Sequence, residues 1–390
     1  MSEFAELRST RGSLLHSLRV LTNRPPAGDL TVSVWRVWLC FGGGWYLVMT
    51  VAALLELPSP WTPAGETRLA YLLDANAAFA FVVSLPVLSY FLLTDDALLR
   101  GALEKLVAGG VLESTPSAAG LLVRKWNARF ARFNSAAQSI ALVVAVLVGL
   151  GNHVAYANAE SGFWMIVNGR VALAGWLYIV GIAGFYWIVC VFVLRTFAMT
   201  WFLRDLVRDP ETRLHVLPFH PDNCGGLRPV GQIALRSQYT LTILGVNLAI
   251  LVWLTFRYLG AQPGIVGLVM VAVVAYLCLG PVVFLAPLLP FRQGMISARA
   301  AMLTLVAREA AAEVQELTTA LNEHRIREFD IEGLERINRV GDLISKQPIW
   351  PFDVTTLRKF LTAYLVPMAG FGVALLLNAI LEGLVSAMIR

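Results

Sequence analysis

VALAGWLYIVGIAGFYWIVCVFVLR, residues 171–195, runs for 24 residues without a charged side chain before Arg195 closes it. At about 1.5 Å per helical residue such a run exceeds the roughly 30 Å of a bilayer's hydrocarbon core. A helix on a soluble domain would carry a charged face, and this one has none. Six further stretches read the same way, at 33–55, 77–94, 135–157, 238–258, 264–290 and 360–387. The second is short unless it begins near Leu72, and Gly280-Pro281, Pro287 and Pro290 predict a bend in the sixth. Gly42-Gly43-Gly44 marks a bend or a close helix contact in the first.

Composition agrees. The 390 residues are 57% hydrophobic and 15% charged, with a mean hydropathy of +0.66, against about 25% charge in soluble domains. The expected fold is an all-α polytopic membrane protein of about seven transmembrane helices with helical cytoplasmic extensions, and its first partner is the lipid bilayer. The net charge of +5 is spread over many loops, so no nucleic-acid partner is expected. Cys40, Cys190, Cys224 and Cys278 suggest no disulfide framework, and the N-terminal residues read as no signal peptide.

Lys and Arg sort to alternate sides of the seven stretches. Arg8, Arg11, Arg19 and Arg24 precede the first, six more follow the second, five follow the fourth, and ten lie between Arg292 and Lys359. The opposite side holds only Arg68, Arg170 and Arg390, with Arg257 at its boundary. The bias predicts an N-terminus inside, a C-terminus outside and a location in a bacterial-type inner membrane. The chain divides into an amphipathic arm at 1–32, a six-helix body at 33–290, a cytoplasmic helical segment at 291–356 and a seventh membrane helix at 357–390. Residues 97–113 and 120–134 continue the second and third spans as helices, and Arg195 is expected to snorkel.

In the cytoplasmic segment Ile296, Ala300, Leu303, Ala307, Ala310, Val314, Leu317 and Leu321 alternate steps of four and three, a heptad seam. Leu334, Ile337, Gly341 and Ile344 continue it on a shorter helix. The seam closes a hairpin on the protein's own helices, or it joins subunits of a homo-oligomer.

Two places carry candidate chemistry. The first is the loop HVLPFHPDNCGGLRPVG, residues 215–231. It admits three readings. One is a turn capped by Asp222, with positive φ at Gly225 and Gly226. Another is a ligand or anion site on His215, His220, Asp222 and the amides of Gly225 and Gly226. The third is a metal held by His220, Asp222 and Cys224, the one cofactor considered. The second place is the last span, where Asn378, Glu382 and Ser386 recur every four residues on one face. They either bond a neighbouring helix or line a watery path that favours cations. Asp95-Asp96 reads as a solvated helix end or a metal or headgroup site. Hydrolase, zincin, Walker and dinucleotide motifs are absent from the sequence, so an enzyme is not expected.

His220-Pro221-Asp222-Asn223-Cys224-Gly225-Gly226-Leu227 resembles the H-P-D-x-x-G-G-L element of a group of uncharacterised bacterial polytopic membrane proteins. That resemblance implies a loop between spans and no particular activity. In topology alone the chain is similar to insect odorant and gustatory receptors, which implies an oligomeric cation channel lined by the last helix. The polar stripe on the last span and the heptad that precedes it set the expectation of a homo-oligomeric, cation-conducting channel lined by the last helix. A secondary transporter and an inner-leaflet sensor or enzyme using the 215–224 loop are the alternatives.

Overall fold

The computed structural model describes residues 4, 6–7, 32–57, 59–61, 67–157, 162–167, 170–217, 220–222, 224–258, 263–322, 328–346 and 349–389. It is almost wholly helical. In chain order come α1 (Val34–Phe41), α2 (Gly43–Glu56), the strand β1 (Thr67–Leu69), α3 (Ala75–Phe79), a π-turn (Ala80–Ser84) and α4 (Leu85–Ala108). Then follow β2 (Leu112–Ser114), α5 (Pro116–Ala157), the two-residue strands β3 (Gly162–Phe163), β4 (Ile166–Val167) and β5 (Arg170–Val171), and α6 (Leu173–Arg208). The chain ends with β6 (Thr212–Leu214), α7 (Arg228–Tyr258), α8 (Pro263–Leu285), α9 (Leu289–Asn322), α10 (Glu328–Ser345) and α11 (Val354–Ile389).

Four helices are long and apolar enough to cross a membrane, Ala75–Ala108, Pro116–Gly151, Leu173–Arg208 and Arg228–Arg257. There are up to six if the two bent pairs, at 40° in α1–α2 and 44° in α8–α9, each count as one span. The chain is thus a multi-pass membrane protein by the length and composition of its helices. The helical continuations expected at 97–113 and 120–134 are present, since α4 runs on to Ala108 and α5 starts at Pro116. Both bends fall where glycine or proline predicts them. The α8–α9 break at residues 286–288 spans Pro287, while Pro281 is carried inside α8.

The outward surface is apolar. Leu55, Val271, Val34 and Leu147 are each more than three-fifths exposed, as befits contact with acyl chains. Exposed Trp35 and Trp201 lie toward the basic end of the bundle, and Trp61 and Trp176 toward the far end. These are the positions of two aromatic belts.

Inside, α5 packs along α6, and α11 packs along α7. The last helix is therefore part of the bundle rather than a separate seventh element. Its contact with α7 is close: a Cβ at Gly245 would crowd Pro367, one at Gly370 would meet Ala249, and Thr242 Oγ1 donates to the Ala363 carbonyl at 2.9 Å. Pro367 and Gly370 thus serve packing, and α11 runs through Pro367 unbroken. At the basic end β2 pairs antiparallel with β6 and ties the α4–α5 turn to the α6–α7 loop. A second core of Leu103, Phe130, Phe202 and Phe291 fills the layer around it. Of the N-terminal arm, Phe4 and Leu7 are buried in that core, and Asn127 Nδ2 donates to the Glu6 carbonyl at 2.9 Å. Residues 8–31 of the expected amphipathic arm lie outside the described residues.

α9 and α10 form a hairpin. On α10 Leu334, Ile337 and Gly341 are half-buried and Ile344 is buried, as the pattern predicts. On α9 the seam splits. Leu303, Ala310 and Leu317 are half-buried, but Ile296, Ala300, Ala307, Val314 and Leu321 are exposed. α10 packs on the 303–310–317 edge and leaves the other bare.

Candidate functional site

The 215–231 loop is built around Asp222. Its Oδ1 accepts the amides of Cys224 and Gly226, both at 2.9 Å, and its Oδ2 accepts the Arg228 amide at 3.2 Å. His220 Nδ1 lies 2.8 Å from Oδ1 and 3.3 Å from the Asp222 amide. One nitrogen cannot donate to the first and accept from the second together, and the shorter contact assigns the proton to Nδ1. Burial alone would raise the Asp222 pKa, but the three amides and His220 together hold it below the usual carboxylate range.

Gly225 and Gly226 have φ of 66° and 85°. Cβ atoms there would collide with Val216 and Val111, so left-handed geometry and close packing both require glycine. Cys224 is fully buried, and burial first, then the charges of Asp222 and Asp353, pushes its thiol up to about 12. His215 turns away to Glu113, 3.1 Å from its Nε2, across the β2–β6 pair. The loop is thus a turn that caps α7. Among the described residues no three His, Cys, Asp or Glu side chains converge as a metal site.

Asp95 and Asp96 differ from the solvated helix end that the sequence suggests, and Arg195 does not snorkel. Arg195 is 3% exposed. Its Nη1 donates to the Leu92 carbonyl at 2.9 Å, its Nη2 reaches Asp96 Oδ1 at 3.3 Å, and its Nε lies 3.6 Å from Asp95. The reason is geometric: α4 and α6 cross where Arg195 can reach two adjacent carboxyls without leaving the protein. Arg236 on α7 joins them. It donates to Thr94 and to the Phe91 carbonyl, and stacks over the Phe91 ring at 4.7 Å. Two carboxyls and two guanidiniums thus balance in charge beside a cavity of about 20 Å³, the space of one water.

From this cluster toward the far end, buried polar atoms without a hydrogen bond in the protein recur on α7 and on the π-turn and α3 that contact it. Both polar atoms of Gln238, Ser84 Oγ, Asn247 Oδ1, Asn76 Oδ1 and Thr255 Oγ1 belong to this row. The Arg236–Thr94 contact fixes the register of two antiparallel helices. Counting outward from it, Ser84 lies ten residues from Thr94 and Asn247 eleven from Arg236, while Asn76 and Thr255 lie eighteen and nineteen away, so each pair falls at nearly the same height. Both α3 and the π-turn contact α7. Orphaned buried polar atoms cost about 1–3 kcal/mol each, so several on one helix contact are a costly pattern for packing alone. The row ends beneath Asp74, which is 1% exposed. Asp74 accepts the Ala77 amide at 3.0 Å and Trp164 Nε1 at 3.1 Å. No cationic side chain among the described residues pairs with it.

Beside the row the backbone is irregular for a stated cause. Pro86 has no N–H for the Val82 carbonyl, and Trp38 Nε1 donates to that carbonyl instead, at 3.0 Å. The π-turn sits here, and the break at Gly42 lets α1–α2 press against it: a Cβ at Gly42 would overlap the Phe81 carbonyl and the Pro86 ring.

Sequence reading missed this row because single Ser, Thr, Asn and Gln residues in apolar helices look like helix glue. The side chains of Asn378, Glu382 and Ser386 lie outside the described residues.

The fold and the site define a polytopic α-helical membrane protein with a polar seam through its helix bundle. Compared with known proteins, the chain matches no family model, no curated protein and no solved structure.

Proposed function

We propose that the protein carries a small cation, the proton included, across the membrane along the α4–α7 seam of each protomer. The observation that carries this is the row of buried polar atoms from Gln238 through Ser84 and Asn247 to Asn76 and Thr255. Water or a small ion between the two helices would satisfy them. The carboxyl of Asp74 at one end favours a cation over an anion, and the balanced Asp95–Asp96–Arg195–Arg236 cluster closes the other end. A break in one span against a π-turn in the next supports a transporter, since irregular backbone at membrane depth is tolerated where it lines a path. The charge bias supports a reading with the basic end and the N-terminus in the cytoplasm, and with α11, packed on α7, as the seventh span of a bacterial-type inner membrane protein.

The test uses purified protein in liposomes. Asn247→Leu and Ser84→Ala should cut cation flux by about tenfold or more. Thermal stability should hold or rise, because removing an orphaned polar group relieves a cost. Unchanged flux in both variants would remove the path.

A second reading, a homo-oligomeric channel lined by Asn378, Glu382 and Ser386, is favoured by the bare edge of α9 at Ile296, Val314 and Leu321. It predicts an oligomer in lipid and loss of flux in Glu382→Gln. A monomer conducting normally with that substitution contradicts it.

A further inference from the structure

At the basic end, α7 and α11 leave between them an open groove of about 390 Å³. Thr355, Arg358, Lys359 and Thr362 line it at positions i, i+3, i+4 and i+7, one face of α11. Val366 continues that face into the apolar part of the bundle, and exposed Tyr239 forms the opposite wall. The groove therefore grades from two cations and two hydroxyls to hydrocarbon over about three helical turns.

The cations are in an unfavourable place for the helix alone. α11 begins at Val354, so Arg358 and Lys359 sit in its first turns, where the macrodipole opposes positive charge. Neither has an ion-pair partner among the described residues. The nearest acid on the same helix end, Asp353, is committed to the Thr356 amide at 2.8 Å. The Thr356 hydroxyl first, then that amide bond and the charge of Arg228, hold its carboxyl below the usual range. Two uncompensated cations beside free hydroxyls are suited to a phosphate. The apolar continuation is suited to a chain attached to it.

We propose that this groove binds one anionic phospholipid. Arg358 and Lys359 hold the phosphodiester, Thr355 and Thr362 donate to its oxygens, and an acyl chain lies along Val366 and the Tyr239 ring. The site stands at the point where the charged α9–α10 segment returns to the membrane, so the lipid would fasten the start of α11 to α7. This holds whatever crosses the membrane.

The test measures lipid retention by native mass spectrometry of the full-length protein, with phosphatidylglycerol and phosphatidylcholine offered together. The wild type should keep phosphatidylglycerol preferentially. A double variant, Arg358→Gln with Lys359→Gln, should weaken that binding by roughly 30-fold, at about 1 kcal/mol per basic side chain. Val366→Trp keeps both charges but fills the groove, and should lose the bound lipid as well. Glycerol phosphate, which has the anion but no chain, should fail to displace it. A double variant that retains the preference, full binding by Val366→Trp, or displacement by glycerol phosphate at equal concentration would each overturn the proposal. The last of these would identify a soluble-anion site.

Discussion

Asp222 shows how a residue that looks catalytic serves architecture. Its carboxylate accepts the amides of Cys224 and Gly226 ahead of α7 and of Arg228 at its first residue, so Asp222→Ala should destabilise the protein by about 1–3 kcal/mol, read by thermal unfolding in detergent. Because its folded pKa is depressed, the stability it adds is present above the unfolded value of about 3.9. It is lost as pH falls through the folded value. Asp222→Asn should therefore lose less stability on acidification below about pH 4 than the wild type does. Gly226→Ala forces a side chain into left-handed backbone against Val111 and should cost about 1–3 kcal/mol. The capped turn and its two glycines were legible in the sequence, because Asx chemistry and positive φ are local. The role of Arg195 was not. Nothing along the chain says that Asp95 and Asp96 stand opposite it, and burial of Arg195 and Asp96 depends on the α4–α6 crossing. Arg195→Met should cost about 3–5 kcal/mol, since it leaves the buried Asp96 carboxyl without the guanidinium that reaches it and Asp95 with Arg236 alone. A loss below about 1 kcal/mol would mean that the cluster is wet.

At the scale of elements, the long apolar helices, the bends at Gly42 and Pro287, and the helical extensions beyond the bilayer were readable from periodicity and breakers. The π-turn was not, because no residue type specifies one. It follows from Pro86 withholding an N–H and from Trp38, far off in sequence, taking the freed carbonyl. Trp38→Phe keeps the ring and removes the donor, and should destabilise by about 1–2 kcal/mol. The heptad on α9 was legible as a stripe, but its partner was not. α10 covers only one edge, so which residues stay bare depends on how the hairpin rolls.

At the scale of the molecule, seven apolar stretches sorted by charge suggested six helices and one apart. The structure instead lays α11 along α7, and the polar groups that stand out lie between α4 and α7. Register between distant helices is a tertiary property, which is why the seam could not be read along the chain. Cation flux into liposomes by wild-type protein and Asn247→Leu tests the central claim most directly. The account predicts flux in the wild type and its loss, by about tenfold or more, in a variant that is folded and at least as stable. Equal flux in the two proteins would contradict it.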